Sequence, residues 1–184
     1  MIDQLRQRFE QPGVRLFRRD RLDMVELSNA AGSTVITTLG ATVLSYIPAG
    51  GDETIWVSDT ACYDGSRPVR GGIPVCWPWF GAHPDDASLP AHGFARHAYW
   101  DLVAVESGDR SSLARFRLES DRETLRHWPH PFRLELVVTL GDALRLELQA
   151  HNPGTETWTI SEALHSYFRV TDARRLTVSG LEGL

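Results

Sequence analysis

Hydrophobic residues recur at every second position through most of this chain. The clearest run is residues 133–149, where Leu134, Leu136, Val138 and Leu140 alternate with Arg133, Glu135, Val137 and Thr139. After Gly141 and Asp142, Leu144, Leu146 and Leu148 alternate with Arg145, Glu147 and Gln149. A period of two, broken by a turn dipeptide, predicts two antiparallel strands with one face buried and the other largely solvated. Weaker runs of the same kind occupy residues 14–17, 24–27, 34–39, 42–47, 54–57, 99–105 and 113–118, and residues 175–178 read as a further strand. Short strands at this spacing predict an all-β sandwich or barrel. Only residues 4–9 and 122–127 fit helices, and both are too short to stand alone. No linker, low-complexity tract or repeat divides the chain, so it reads as one domain.

Between Thr60 and Tyr99 the alternation fails for about forty residues, longer than structureless loops usually run in a compact domain. This segment is expected to bind something or to pack as ordered irregular structure. It holds two dense blocks, Arg67 to Gly81 and Leu89 to Arg96. Their prolines exclude a central strand, and Gly71-Gly72 permits positive φ and close backbone approach. Aromatic faces beside guanidinium forks suit a sugar, whose C–H faces stack while its hydroxyls hydrogen-bond. Trp77, Trp79 and Phe80 nevertheless read first as core, given the area an aromatic buries. Arg70 and Arg96 are candidate ligand contacts, with a structural pairing to Asp85 or Asp86 as the alternative, and Arg67 reads as solvated. His83, Asp85, Asp86, His92 and His97 lack the spacing of a metal site, and His127 and His130 read as loop residues flanking Trp128-Pro129.

Residues 157–168 carry a different signal. Alternation puts Trp158, Ile160, Leu164 and Phe168 on one face, and Thr157, Thr159, Ser161, Ala163, His165 and Tyr167 on the other. The second face is mostly small and polar in mid-strand, as the floor of a polar cleft would be. A histidine there is either a proton donor near neutral pH or a hydrogen-bonded structural residue.

Composition narrows the chemistry. The 184 residues carry 19 basic against 24 acidic side chains, a formal charge of −5, and 42% are hydrophobic. A mildly acidic chain lacks the basic footprint that nucleic acid or an anionic membrane requires, so neither is an expected partner. All 19 basic residues are arginine. The lack of lysine excludes a Schiff base, a pyridoxal-phosphate anchor and a Walker-type phosphate lysine, and it leaves guanidinium to recognise any phosphate. No nucleophile elbow or dinucleotide fingerprint is present. Cys62 and Cys76 are too few for a disulfide scaffold and suggest a reducing compartment. The N-terminus has no apolar core of a signal peptide, and no apolar run reaches a membrane span, so a soluble cytoplasmic protein is expected. From the residues themselves the reading is an all-β domain with a polyol or phosphosugar site.

Four segments occur in order: Arg70 to Gly81 (RGGIPVCWPWFG), Ala91 to Arg96 (AHGFAR), Trp128-Pro129-His130, and Ala163 to Phe168 (ALHSYF). Together they resemble the bacterial D-hexose-6-phosphate mutarotases, or glucose-6-phosphate 1-epimerases, within the aldose 1-epimerase family. The resemblance implies a large antiparallel β-sandwich of the galactose mutarotase type. It also implies an isomerase of carbohydrate metabolism that interconverts the α and β anomers of a hexose 6-phosphate without cofactor or metal. His165 matches the family's general acid, Arg70 and Arg96 match substrate-binding positions, and His92 matches a histidine that contacts sugar hydroxyls. Some relatives have Gln where Ala91 stands here, so that contact does not carry over. The family's catalytic Glu lies beyond position 184, and neither Glu162 nor Glu182 matches its motif. The chain is therefore expected to be the N-terminal part of a single mutarotase-like domain, cut short at its C-terminal end, and to catalyse weakly. The alternatives are a non-catalytic sugar-phosphate binding module and an inactive fragment.

Overall fold

The computed structural model describes residues 2–181 and 183. Strands β1 (Val14–Arg19), β2 (Leu22–Asn29), β3 (Gly32–Thr37) and β4 (Val43–Pro48) form an antiparallel sheet in sequential order. Strand β5 (Val75–Cys76) pairs with β10 (Ala163–Leu164), and β6 (Asp101–Glu106), β7 (Ser112–Glu119), β8 (Arg133–Leu140) and β9 (Leu144–His151) form a second sequential antiparallel sheet. Helices α1 (Ile2–Phe9) and α2 (Thr124–His127) cover residues close to the two expected short helical stretches. The all-β antiparallel sandwich expected from the periodicity is thus the observed architecture. Among the described residues no helix is long and apolar enough to cross a membrane.

Alternation decides which residues join the two sheets. Leu16, Val25, Leu27, Ile36 and Val43 from the first sheet meet Leu102, Ala114, Phe116, Leu134, Leu136 and Val138 from the second in one buried cluster. Asn29 at the end of β2 ties the sheets together by donating to Ser112 Oγ at 3.0 Å and to the Leu140 carbonyl at 3.1 Å. The outer face of the first sheet is buried too: Leu22, Met24, Leu39 and Leu44 lie under Tyr63 and Val69 from the irregular segment. That cover explains why β2 is apolar on both faces.

Two expected strands are not seen. Residues 54–57 form only single bridges, Ile55 to Phe168 and Val57 to Gly71. Just before them Glu53 substitutes for a neighbouring strand, accepting the Tyr46 and Ile55 N–H groups on Oε1 at 2.9 Å each. Residues 175–178 make no strand; a 3₁₀ turn, Ala173–Arg175, precedes them and is capped by the Asp172 side chain.

The irregular segment is ordered by a pairing that strand periodicity does not reveal. The Tyr167, His165 and Ser161 N–H groups donate to the carbonyls of Gly72, Pro74 and Pro78 at 3.0, 3.1 and 3.1 Å, and Ala163 is paired with Cys76. Residues 72–78 and 161–167 therefore run antiparallel in a single register. Prolines at 74 and 78 accept but cannot return a bond, which confines regular strand geometry to β5 and β10. Trp56 closes the end of this ribbon, donating to the Tyr167 carbonyl and accepting from Gly72 N–H, both at 2.9 Å. The Trp77–Pro78 peptide is cis.

A third segment is pinned to the same ribbon. The Trp77 carbonyl accepts the Phe94 and Ala95 N–H groups at 3.1 and 3.2 Å, and Gly93 packs against it with φ +71°. A Cβ at Gly93 would collide with the Trp77 carbonyl oxygen. Gly93→Ala is therefore expected to destabilise the protein by about 3 kcal/mol, combining a left-handed alanine with a displaced backbone. Thermal or urea unfolding checks this, and a change under about 0.5 kcal/mol would contradict the close approach.

On the outer face of the second sheet, Glu135 accepts from Arg115 at 2.7 Å and Arg117 at 2.8 Å. Burial pushes its carboxyl upward, but the hydrogen bonds and charges of the two guanidinium groups outweigh this and hold it below the usual range. The folded state then binds this proton less readily than the unfolded chain. The stability it contributes is present above the ordinary value near 4.5 and is lost as pH falls through the folded value. Glu135→Gln is expected to cost about 1–2 kcal/mol at neutral pH and to flatten the acid limb of the stability curve. Thermal melts of both proteins between neutral and acid pH test this; parallel curves would contradict it.

Candidate active site

The ribbon of residues 72–78 and 161–167 is the floor of the candidate site. Its register puts Ser161, Ala163, His165 and Tyr167 on one face, across from Pro78, Cys76, Pro74 and Gly72. The residues across from His165 are small or ring-closed, so the imidazole stands clear of bulky cross-strand neighbours. The opposite face of the ribbon carries Val75, Trp77, Trp158 and Leu164 into the core, where Trp77 meets Phe94, Trp128, Phe132 and Trp158 edge-on or tilted. Trp77 and Trp79 are core residues, as expected. Phe168, expected on the buried face, is 64% exposed. Beyond Tyr167 the segment leaves the Gly72 strand and Phe168 bridges Ile55 instead.

His165 is half-buried, and its ring stacks on Tyr167 with centroids 4.7 Å apart. Tyr167 in turn touches Trp56 at 5.9 Å. The His92 ring faces His165 edge-on at 6.0 Å. Phe80 lies against both histidines, at 4.8 Å from His92 and 6.2 Å from His165. It is 48% exposed although it follows two buried tryptophans, and its N–H is held by Ser161 Oγ at 2.9 Å. A solvent-facing aromatic ring fixed beside two imidazoles offers an apolar face next to hydrogen-bonding groups.

Arg96 lies in a 3₁₀ turn, Ala95–His97, next to this pair. Its Nη2 donates to the Ala91 carbonyl at 2.8 Å, while its Nε is buried with no partner among the described residues. Its charge reaches both His92 and Cys76. Burial, then Arg96, then His165 hold His92 below the ordinary histidine range, and burial pushes the Cys76 thiol up against the opposing pull of Arg96. Among the described residues neither Arg96 nor Arg70 is in a salt bridge, so the expected alternative of a pairing to Asp85 or Asp86 is not realised there.

The structure thus gathers His165, His92 and Arg96. Arg70 is exposed, two residues beyond the Gly72–Tyr167 pair, and its guanidinium has no hydrogen-bond partner among the described residues. The other residues weighed for a metal have local roles. His83 Nδ1 accepts the Asp85 and Asp86 N–H groups at 3.2 and 3.0 Å and its ring abuts Trp79, and Asp86 binds Ser88. No group of three metal-ligating side chains converges among the described residues. A cavity of about 610 Å³ adjoins the site; Phe80 and Ser161 line it, together with His83, His127, Trp128 and His130, but His92 and His165 do not.

Phe80, read first as core, is instead exposed beside the histidines, and Ser161 and Tyr167 are further residues at the site that the sequence reading gave no role. Ser161 and Tyr167 share the period-two face of His165, which was a usable signal.

The aldose 1-epimerase family pattern matches residues 23–184. A Salmonella typhimurium protein provisionally named glucose-6-phosphate 1-epimerase is 37% identical over 162 residues, which is 88% of this chain and 53% of that protein. A similarly named Escherichia coli protein is 36% identical over the same shares. The crystal structure of the provisionally assigned mutarotase YeaD from Salmonella typhimurium superposes with a TM-score of 0.82 at 34% identity, covering 88% of this chain and 53% of that one. A galactose mutarotase-like protein from Clostridium acetobutylicum, 16% identical, shares the fold with a TM-score of 0.64 over 76% of this chain and 48% of its own. The chain spans about half the length of the curated relatives it matches. With the sandwich, the histidine-bearing ribbon and the family pattern in agreement over most of its length, the chain belongs to the aldose 1-epimerase family.

Proposed function

We propose that this chain supplies the general acid and the sugar and phosphate contacts of a hexose-6-phosphate mutarotase. The observation that carries the reading is the placement of half-buried His165 on a floor of small residues, beside His92 and an Arg96 guanidinium that pairs with no carboxylate among the described residues. The names of the bacterial relatives support glucose 6-phosphate as substrate. The family assignment by itself supports only anomer interconversion. A cytoplasmic location accords with a phosphorylated sugar substrate.

In the proposed reaction His165, protonated, donates to the ring oxygen while a carboxylate takes the proton of the anomeric hydroxyl. The C1–O5 bond breaks and the C1–O1 bond becomes a carbonyl. Rotation about C1–C2 and attack of the O5 hydroxyl on the other face of the aldehyde re-form the ring, with acid and base exchanging roles. Each proton transfer can supply about 10²- to 10⁴-fold. Phe80 offers a C–H stacking face, and Arg96 and Arg70 offer guanidinium forks to the phosphate.

Anomer exchange of glucose 6-phosphate, followed by NMR alongside calorimetry, tests this reading. The chain is expected to bind saturably and to accelerate exchange modestly, and His165→Ala is expected to abolish the acceleration while leaving affinity within about threefold. Exchange unchanged by His165→Ala would make His165 structural. Binding with no acceleration at all would make the chain a sugar-phosphate module. Arg96→Ala is expected to weaken glucose 6-phosphate about 10- to 100-fold and glucose much less, because a charge-assisted contact is lost only with the phosphorylated sugar. Equal losses for the two ligands would contradict phosphate recognition by Arg96.

A further inference from the structure

Each of the two four-stranded sheets has two edges, and three of the four are blocked by the chain itself. At β1, helix α1 and the residue after it supply the missing partners: Arg6 Nε donates to the Leu16 carbonyl at 2.9 Å, and Glu10 Oε1 accepts the Leu16 N–H at 3.5 Å. At β4, Glu53 accepts the Tyr46 N–H, and the Thr54 and Ile73 N–H groups donate to the Tyr46 and Val43 carbonyls, all at 2.9 Å. At β6 the register shifts between Leu102 and Ala104, a bulge that breaks the regular spacing a new strand would need.

The fourth edge, β9, has none of these devices. Its eight residues pair with β8 in one unbroken register, contain no proline, and make no backbone hydrogen bond to any other segment among the described residues. Alternate residues therefore turn an unpaired N–H and C=O outward. The core face also stops short here. Leu134, Leu136, Val138 and Leu140 of β8 are buried, whereas Leu144, Leu146 and Leu148, on the same face of the neighbouring strand, are only half-buried. An open edge flanked by apolar side chains is a template for another strand.

The charges on β9 select the occupant. Directly opposed side chains in an antiparallel pair lie on the same face, so the leucines stay on the core side only if even-numbered residues oppose even-numbered ones. Two copies of β9 related by a two-fold axis at Leu146 satisfy this condition. Leu146 then opposes itself, Leu144 opposes Leu148, and Arg145 opposes Glu147 on both sides of the axis. An axis one residue earlier would set Arg145 against Arg145, and one residue later would set Glu147 against Glu147. Both charged side chains are exposed and already pair along the strand at 3.1 Å, on the face away from the leucines. We propose that β9 is a self-association edge, through which two copies of this chain join antiparallel about Leu146 and continue the second sheet from one copy into the other. The contact is isologous, and the bulge in β6 interrupts the far edge of the sheet, so assembly stops at two copies.

Sedimentation equilibrium of the full chain tests this. The parent is expected to dimerise with a dissociation constant of about 10–100 μM, as a short interface allows. Arg145→Glu sets like charges across both sides of the axis, and Glu147→Arg does the same with the opposite sign. Each variant alone is expected to dimerise about tenfold or more weakly than the parent. An equimolar mixture of the two variants opposes only unlike charges in this register. It is expected to form a heterodimer within about threefold of the parent affinity, although neither chain keeps the ion pair within its own strand. A parent that stays monomeric up to about 1 mM overturns the proposal, as does open-ended association. A dimer indifferent to both reversals, or a mixture that associates no better than its components, overturns it as well by placing the contact elsewhere or in another register.

Discussion

The site depends on one antiparallel pairing in which the acceptors are the carbonyls of Gly72, Pro74 and Pro78. Each accepts from the segment that carries His165, and the two prolines offer no N–H in return. The ribbon is consequently fixed in register yet cannot take up further regular pairing at those positions. Its two faces are sharply different. One carries Trp77 and Trp158 into the aromatic core, and the other sets small or ring-closed residues opposite a half-buried histidine. Register matters because a one-residue slip would exchange the faces, burying His165 and exposing Leu164. The indoles of the core face are thus the anchor that keeps the imidazole on the open side.

The segment of residues 91–96 is fixed to the same ribbon by the Trp77 carbonyl, which accepts from Phe94 and Ala95 while Gly93 packs against it. This chain of contacts converts an anchor in the core into the 6.0 Å separation of two imidazoles whose residues are far apart in sequence. Arg96, in the turn that follows, is brought to the same place with part of its hydrogen-bonding capacity unspent. Arg96 places a positive charge beside His92 and Cys76 in a chain of net negative charge that has no lysine. Local placement of arginine, and not overall charge, sets what such a site attracts.

Alternation was sufficient to read the two four-stranded sheets from sequence, because each has one face in the shared core: Leu134, Leu136, Val138 and Leu140 of β8 are all buried. It also put His165 on a polar face, where the structure has it. It failed where hydrogen bonds come from groups that periodicity does not see. Glu53 takes the place of a strand beside residues 54–57, and the ribbon receives bonds at Pro74 and Pro78 that those prolines cannot return. The blocks around Arg70 and Arg96 were legible as special by composition and by their resemblance to mutarotases. Their geometry was not legible, since the orientation of His92 depends on left-handed backbone at His92 and Gly81. His92 was weighed in the sequence for a metal and took a sugar-binding role only through family resemblance; its bonds to Gly81 are set by the fold.

The central claim is that His165 and His92 look onto one sugar-binding cleft. NMR titration of the imidazole resonances with glucose 6-phosphate tests it most directly. The account predicts that the ring signals of both histidines move together and saturate at a single ligand concentration, the one at which calorimetry also saturates. Saturable binding that leaves both rings unmoved would contradict it and would place the ligand elsewhere on the sandwich.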